Sequence, residues 1–185
     1  MAKTFISVTE VAKLVRQALK EAFPDIRFGV RSSKYAGGAS LSVSWRDGPN
    51  ETQVESITNR FRGAYFDGST DYQGSRYSMI DGQLVSFGAD YIHAKRSYSR
   101  RTVERVVARV APRYGLVAYR LTGDDEYGWG LTSDDFRESD KVRVVQRALY
   151  RQSDRLRIER CPTAARVIYC GNDGYSDVGA LALDE

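Results

Sequence analysis

"SVTEVAKLVRQALKEAFPDIRFGVRSSKYAGGASLSVSWRDGPN", residues 7–50, decides the fold. Ser7 and Glu10 stand three apart at its start, the spacing of a capping box, and predict a helix N-terminus. Val8, Val11, Leu14, Val15, Ala18, Leu19, Ala22 and Phe23 then follow a period of about 3.6, and Pro24 closes the element. "IRFGVRS" alternates Ile26, Phe28 and Val30, and "SLSVSWR" alternates Leu41, Val43 and Trp45 against serines. Both predict strands with one wet face, joined through the glycine-rich "SSKYAGGA".

Beyond it, "DGPN" predicts a turn with Pro49 near the start of a second helix, whose buried side is Val54, Ile57 and Phe61 and whose stop is Gly63. Residues 63–83, rich in Gly, Ser, Asp and Tyr, show no sustained period and predict a long loop. "LVSFGADYIHAKR" alternates through Val85, Phe87, Ala89 and Tyr91 as one strand. Ser99 then caps a helix with Val103, Val106, Val107, Val110 and Tyr114 on its core side. After Gly115, "LVAYRLT" and "EYGWGLT" predict short strands, and "SDDFRESDKVRVVQRALYRQ" a helix with acids in its first turn. "LRIERCPTAARVIYCGND" predicts one or two further strands, and "GYSDVGALALDE" a weakly patterned tail. The order helix-strand-strand-helix-strand-helix predicts an α+β protein, an antiparallel or mixed sheet with helices on one face.

The 185 residues, 42% hydrophobic and 28% charged, are enough for a core without staples. No apolar run reaches the roughly 20 residues of a membrane span and no signal-peptide pattern opens the chain, so a cytoplasmic protein is expected. Cys161 and Cys170, without a CxxC pair or flanking histidines, predict reduced, structural thiols. The net charge of +4 is segregated. Seven basic residues between Lys95 and Arg113 meet only Glu104, and seven acids between Asp124 and Asp140 meet only Arg137. From Lys141 to Arg166 eight basic residues face Asp154 and Glu159.

The opening stretch resembles the large polyvalent protein-associated domain family, the twenty-ninth of its series. The likeness rests on Phe23–Pro24, on "RSS" at 31–33, on Gly37, Gly38 and Ser40, and on Val43, Ser44, Trp45, Asp47, Gly48 and Pro49, the pattern VSWxDGP. It continues through "FDGSTDY" at 66–72 and "YSRRTVERVVARVAPRYG" at 98–115, covering about residues 7–115. The resemblance implies a protein of phages, plasmids or other mobile elements, a setting shared with anti-restriction genes, and it carries no catalytic mechanism. The expected division is a family module at 1–115 and a smaller, charge-divided α+β region at 116–185 packed against it.

Arg101, Arg105, Arg109 and Arg113 fall four residues apart in the helix after Ser99. Such spacing stacks like charges at a cost of roughly 0.2–0.5 kcal/mol per neighbouring pair. Two readings stand open. The arginines answer the acids at Asp124–Asp140 as a solvated face, or they track phosphates, since four residues of helix rise about 6 Å. Lys95 and Arg96 belong to the same basic block.

Tyr127 and Trp129, separated by Gly128, would share one strand face and could stack on bases; a core or protein-interface role is the other reading. The long loop also sets Tyr65, Phe66, Tyr72 and Tyr77 beside Arg76. Asp124, Asp125 and Glu126 could mimic nucleic-acid phosphates toward a basic groove, or, with Asp134 and Asp135, hold Mg²⁺. Helix N-terminal placement accounts for Asp134, Asp135 and Asp140 without a metal. His93, the single histidine, completes no triad motif, and no Walker or Rossmann glycine pattern occurs. No catalytic residue, metal or cofactor is therefore expected. The expected function is a non-enzymatic counter-defence protein, anti-CRISPR or anti-restriction, occupying a nucleic acid or a host defence nucleoprotein complex through the arginines. Nucleic-acid mimicry by the acids and a metal-dependent nuclease or nucleotide-modifying enzyme are the alternatives.

Overall fold

The computed structural model describes residues 3–153 and 160–173. The elements are β1 (Thr4–Ile6), α1 (Val8–Ala22), β2 (Gly29–Tyr35), β3 (Gly38–Arg46), α2 (Glu51–Thr58), β4 (Ala64–Asp67), β5 (Tyr72–Ile80) and β6 (Gln83–Phe87). They continue with β7 (Tyr91–Ser97), α3 (Arg100–Tyr114), β8 (Arg120–Asp124), β9 (Gly128–Thr132), α4 (Ser139–Tyr150), α5 (Pro162–Ala165) and β10 (Val167–Asn172). Helices and mixed or antiparallel sheets make this an α+β fold. No helix among the described residues is long and apolar enough to cross a membrane.

Contacts divide the chain into two compact units. The first comprises Met1–Val43, Val54–Ala94 and Ile158–Glu185; the second comprises Ser44–Gln53 and Lys95–Arg157. The division falls within β3, α2 and the β7 region of the chain.

In the first unit, the capping box forms as its spacing predicts: the Ser7 hydroxyl accepts from the Glu10 N–H, and the Glu10 carboxylate accepts from the Ser7 N–H at 3.0 Å. Val11, Val15, Ala18 and Leu19 of α1 are buried, as are Leu41 and Val43 of β3. A mixed five-stranded sheet holds β1-β6-β5-β10 with β4 beside β5, and only β1 and β6 pair in parallel. A second sheet has the order β2-β3-β7.

Three expectations change here. The stretch at 63–83 is not a loop but the hairpin β4–β5 and the start of β6. Asp67 closes its first turn by accepting from the Ser69 N–H at 2.9 Å, and Asp81–Gly82, both at positive φ, form the second. Its period was hidden because β5 carries small residues where neighbours come close: a Cβ on Gly74 would lie 2.4 Å from the Tyr65 ring. Residues 84–96, in turn, are two strands. Alternation persists through Ala89, but Gly88 N–H bonds Ile6 C=O while Asp90 N–H bonds Ala39 C=O, so the chain changes sheets at Gly88–Asp90. Third, "CPTAAR" contributes the short helix α5 before β10. The expectation for "LRIER" lies mostly, and that for the tail at 174–185 wholly, outside the described residues.

The second unit closes around α3, α4 and β9. Val103, Val106, Val107, Ala111, Leu116, Leu131, Val142, Val145 and Leu149 form one buried cluster, with Val110, Leu121 and Trp129 at its margin. Tyr114 departs from its expected core position and is 55% exposed. Gly115, at φ 61, turns the chain, and Leu116 folds back with its N–H on Ala111 C=O at 3.0 Å, so leucine rather than tyrosine closes that end of the core.

Candidate nucleic-acid interface

Helix α3 starts where its sequence says it should. The Ser99 hydroxyl accepts the Thr102 N–H at 3.2 Å, and Pro112, which lacks the N–H that would bond one turn back, lies in the last turn. The valine face buries against α4 and β9 and leaves the opposite face to solvent. Arg101, Arg105, Arg109 and Arg113 all lie on that exposed face. Arg105 donates to the Thr102 hydroxyl at 3.0 Å. Among the described residues none of the four forms an ion pair.

Most of the described acids that could have answered them bond other groups. Glu104 pairs with Arg100 at 2.8 Å, Asp134 with Arg120 at 3.0 Å, and Asp140 with Arg143 at 3.0 Å. Glu138 is buried and accepts from Lys141 at 2.7 Å and from the Val117 N–H at 3.1 Å. Lys141 also donates to Gly115 C=O at 2.8 Å, so this pair ties the end of α3 to α4. The hydrogen bond from Lys141 holds the Glu138 carboxyl below its usual range, against an opposing effect of burial. Asp135 accepts from the Arg137 N–H at 2.9 Å and caps a single 3-10 turn, Phe136–Glu138.

The three acids read as a possible mimic surface build the β8–β9 turn. Asp124 accepts from the Glu126 and Tyr127 N–H groups at 2.9 and 2.7 Å, and Asp125 accepts the Trp129 indole N–H at 2.8 Å. Arg46, far away in sequence, donates to the carbonyls of Asp125 and Glu126 and holds the turn from outside. Tyr127 and Trp129 do not share a strand face, because β9 begins at Gly128 and Tyr127 sits in the turn. Tyr127 is 77% exposed, while Trp129 lies at the margin of the core with the Arg100 guanidinium 5.1 Å from its ring. Among the described residues no three His, Cys, Asp or Glu side chains are grouped to hold a metal ion.

Lys95 is exposed on β7, but its neighbour departs from the expected surface position. Arg96 is 6% exposed and donates to the carbonyls of Asp47 at 3.1 Å, Gly48 at 2.8 Å and Gln152 at 3.0 Å. Burial pushes its pKa down, opposed by Tyr98, Asp47 and Glu51. Sequence reading missed Arg46 and Arg100. The Arg100–Glu104 pair has an i,i+4 signal, whereas nothing near Arg46 in the chain points to a turn at 124–127.

A family model described as large polyvalent protein associated domain 29 matches residues 6–99. The chain belongs to this family, which implies a phage or mobile-element context. No curated protein and no solved structure matches the chain. The matched residues end at Ser99, the cap of α3, so the arginine face lies just past them.

Proposed function

We propose that the protein is a non-enzymatic, counter-defence binding protein of a phage or mobile element, which lays the exposed face of α3 along nucleic acid or a nucleoprotein complex. Arg101, Arg105, Arg109 and Arg113, with Lys95, contact phosphates. One observation carries this reading: four exposed guanidiniums on one helix have no carboxylate partner among the described residues, while Asp124, Asp125, Asp134, Asp135, Glu138 and Asp140 of the neighbouring block bond other groups. A polyanion reverses the sign of their mutual repulsion, and guanidinium forks suit phosphate oxygens. The family context supports host defence as the setting in which such binding is used.

Fluorescence anisotropy with labelled single- and double-stranded DNA and RNA, across a salt series, tests it. Each neutralised phosphate of a duplex contributes about 0.9 to the slope of log affinity against log salt, so four arginines give roughly 3 to 4. The folded double variant Arg105→Glu/Arg109→Glu is expected to lose binding to the nucleic acid, and inhibition of the host system with it. Unchanged binding in that variant would remove the ladder from the mechanism.

A further inference from the structure

The first unit holds a second set of cations that form no ion pair among the described residues. A cleft of about 420 Å³, within the range of small-molecule sites, is lined by Asn59, Arg60, Arg76, Val167, Ile168 and Tyr169. Arg60 comes from the 3-10 turn that follows α2, and its Nη1 reaches the carbonyls of Ala164 and Val167 at 3.3 and 3.5 Å, which fixes the guanidinium at the wall. Arg76 comes from β5. Tyr169 of β10 stands opposite Ser78, two residues from Arg76 on the same strand face, and β10 shifts register between Tyr169 and Gly171. The result places the Arg76 guanidinium 4.8 Å from the centre of the Tyr169 ring.

Among the described residues no carboxylate forms an ion pair with Arg60 or Arg76. Burial first, and then the like charge of Arg62, push the Arg76 pKa down against the opposing effect of Tyr169. Arg62 itself has a buried Nε with no hydrogen-bond partner among the described residues. Drawing a guanidinium partly out of water beside another cation is costly, and a bound anion offsets that cost. The half-exposed Tyr169 ring and the 61% exposed Ile168 add a flat apolar shelf next to the cations. A ligand matched to both parts carries a phosphate and an aromatic ring.

We propose that this cleft binds a mononucleotide, Arg60 and Arg76 holding its phosphate and Tyr169 stacking on its base. The site draws no residue from α3 and does not depend on that helix's arginines.

Titration calorimetry of the intact protein with AMP, CMP, adenosine, inorganic phosphate, succinate and a single-stranded 12-mer tests the assignment. AMP or CMP is expected to bind about tenfold or more tightly than phosphate, adenosine or succinate alone. Tyr169→Ala, at a half-exposed position, is expected to weaken AMP about tenfold and leave phosphate unchanged. Arg76→Lys keeps the charge and loses the fork, and is expected to weaken AMP and phosphate together by about tenfold. Should Arg76→Lys fail to fold by circular dichroism, the selective effect of Tyr169→Ala decides. The Arg105→Glu/Arg109→Glu variant is expected to bind AMP normally. The proposal is overturned if neither mononucleotide binds, if only the 12-mer binds, if Tyr169→Ala leaves AMP affinity unchanged, or if the ladder variant loses AMP.

Discussion

The Asp47 carboxylate accepts the backbone N–H of Ser99 at 3.0 Å, so the turn after β3 grips the residue that caps α3. Asp47 sits at φ 56, with its own N–H on Ser97 C=O at 2.9 Å. Aspartate tolerates that left-handed backbone better than most residues. Asp47→Ala loses a charge-assisted bond and meets backbone strain, and is expected to cost about 2–3 kcal/mol. Asp47→Gly, free of the strain, is expected to cost less. Both tryptophans of the chain, Trp45 and Trp129, belong to the second unit, so urea unfolding followed by tryptophan fluorescence reads this directly. Equal costs for the two variants would contradict the strain argument.

Stability and binding should respond oppositely on the arginine face. Arg109 has like-charged neighbours four residues away on both sides, and Arg109→Gln removes two repulsive pairs at almost no cost in helix propensity. The variant is expected to gain about 0.4–1 kcal/mol at low salt, and the gain should shrink as salt screens the charges. Nucleic-acid affinity should fall in the same variant. A variant no more stable than the parent at low salt would show that the ladder carries no strain.

Arg96 is expected to behave as a fold residue. Arg96→Met leaves three carbonyls without their donor and should destabilise the second unit by about 3 kcal/mol or more. Arg96→Lys should recover little, because an ammonium cannot reproduce the fork. The unfolding midpoint by tryptophan fluorescence checks both; a surface-like change under about 0.5 kcal/mol would refute the role.

Acid should loosen the contact of α1 with α5. Glu21 accepts from the Thr163 N–H at 2.9 Å and the Thr163 hydroxyl at 2.7 Å. Burial raises its pKa, but the bonds from Thr163, Gln17 and Cys161 outweigh that and leave it below the usual glutamate range. A carboxylate with a depressed folded pKa stabilises the fold above its unfolded pKa. That contribution is lost as pH falls from the usual glutamate range through the lower folded value. Amide exchange at Thr163 should accelerate across this window, and Glu21→Gln should flatten the response. An unchanged pH profile in Glu21→Gln would assign the effect to another group.

Local chemistry was the legible part of this molecule. Ser7, Glu10 and Ser99 announce their helices because capping depends on residues three apart, and Val54, Ile57 and Phe61 mark a buried face that α2 and the following turn bury as read. Strands β4 and β5 were hidden because Gly74, Ser75 and Ser78 meet neighbours closely rather than through large apolar side chains. Long-range partners were out of reach for the same physical reason throughout. Arg96 reads as one more surface cation until Gly48 and Gln152 are brought to it, and the ladder's lack of ion pairs among the described residues emerges only once the partners of Glu104, Asp134, Glu138 and Asp140 are placed. Arg60, Arg76 and Tyr169 are drawn from segments spread across more than half of the chain, so no motif could join them.

The second unit draws its chain from two separated stretches, and the shorter, Ser44–Gln53, carries the "SWRDGP" turn and lies within the residues the family model matches. This has a consequence for inheritance. Any crossover between residues 53 and 95 would part α3 from the Asp47 turn that grips its cap. The ladder helix and the "SWRDGP" turn thus depend on one another although more than forty residues of sequence lie between them.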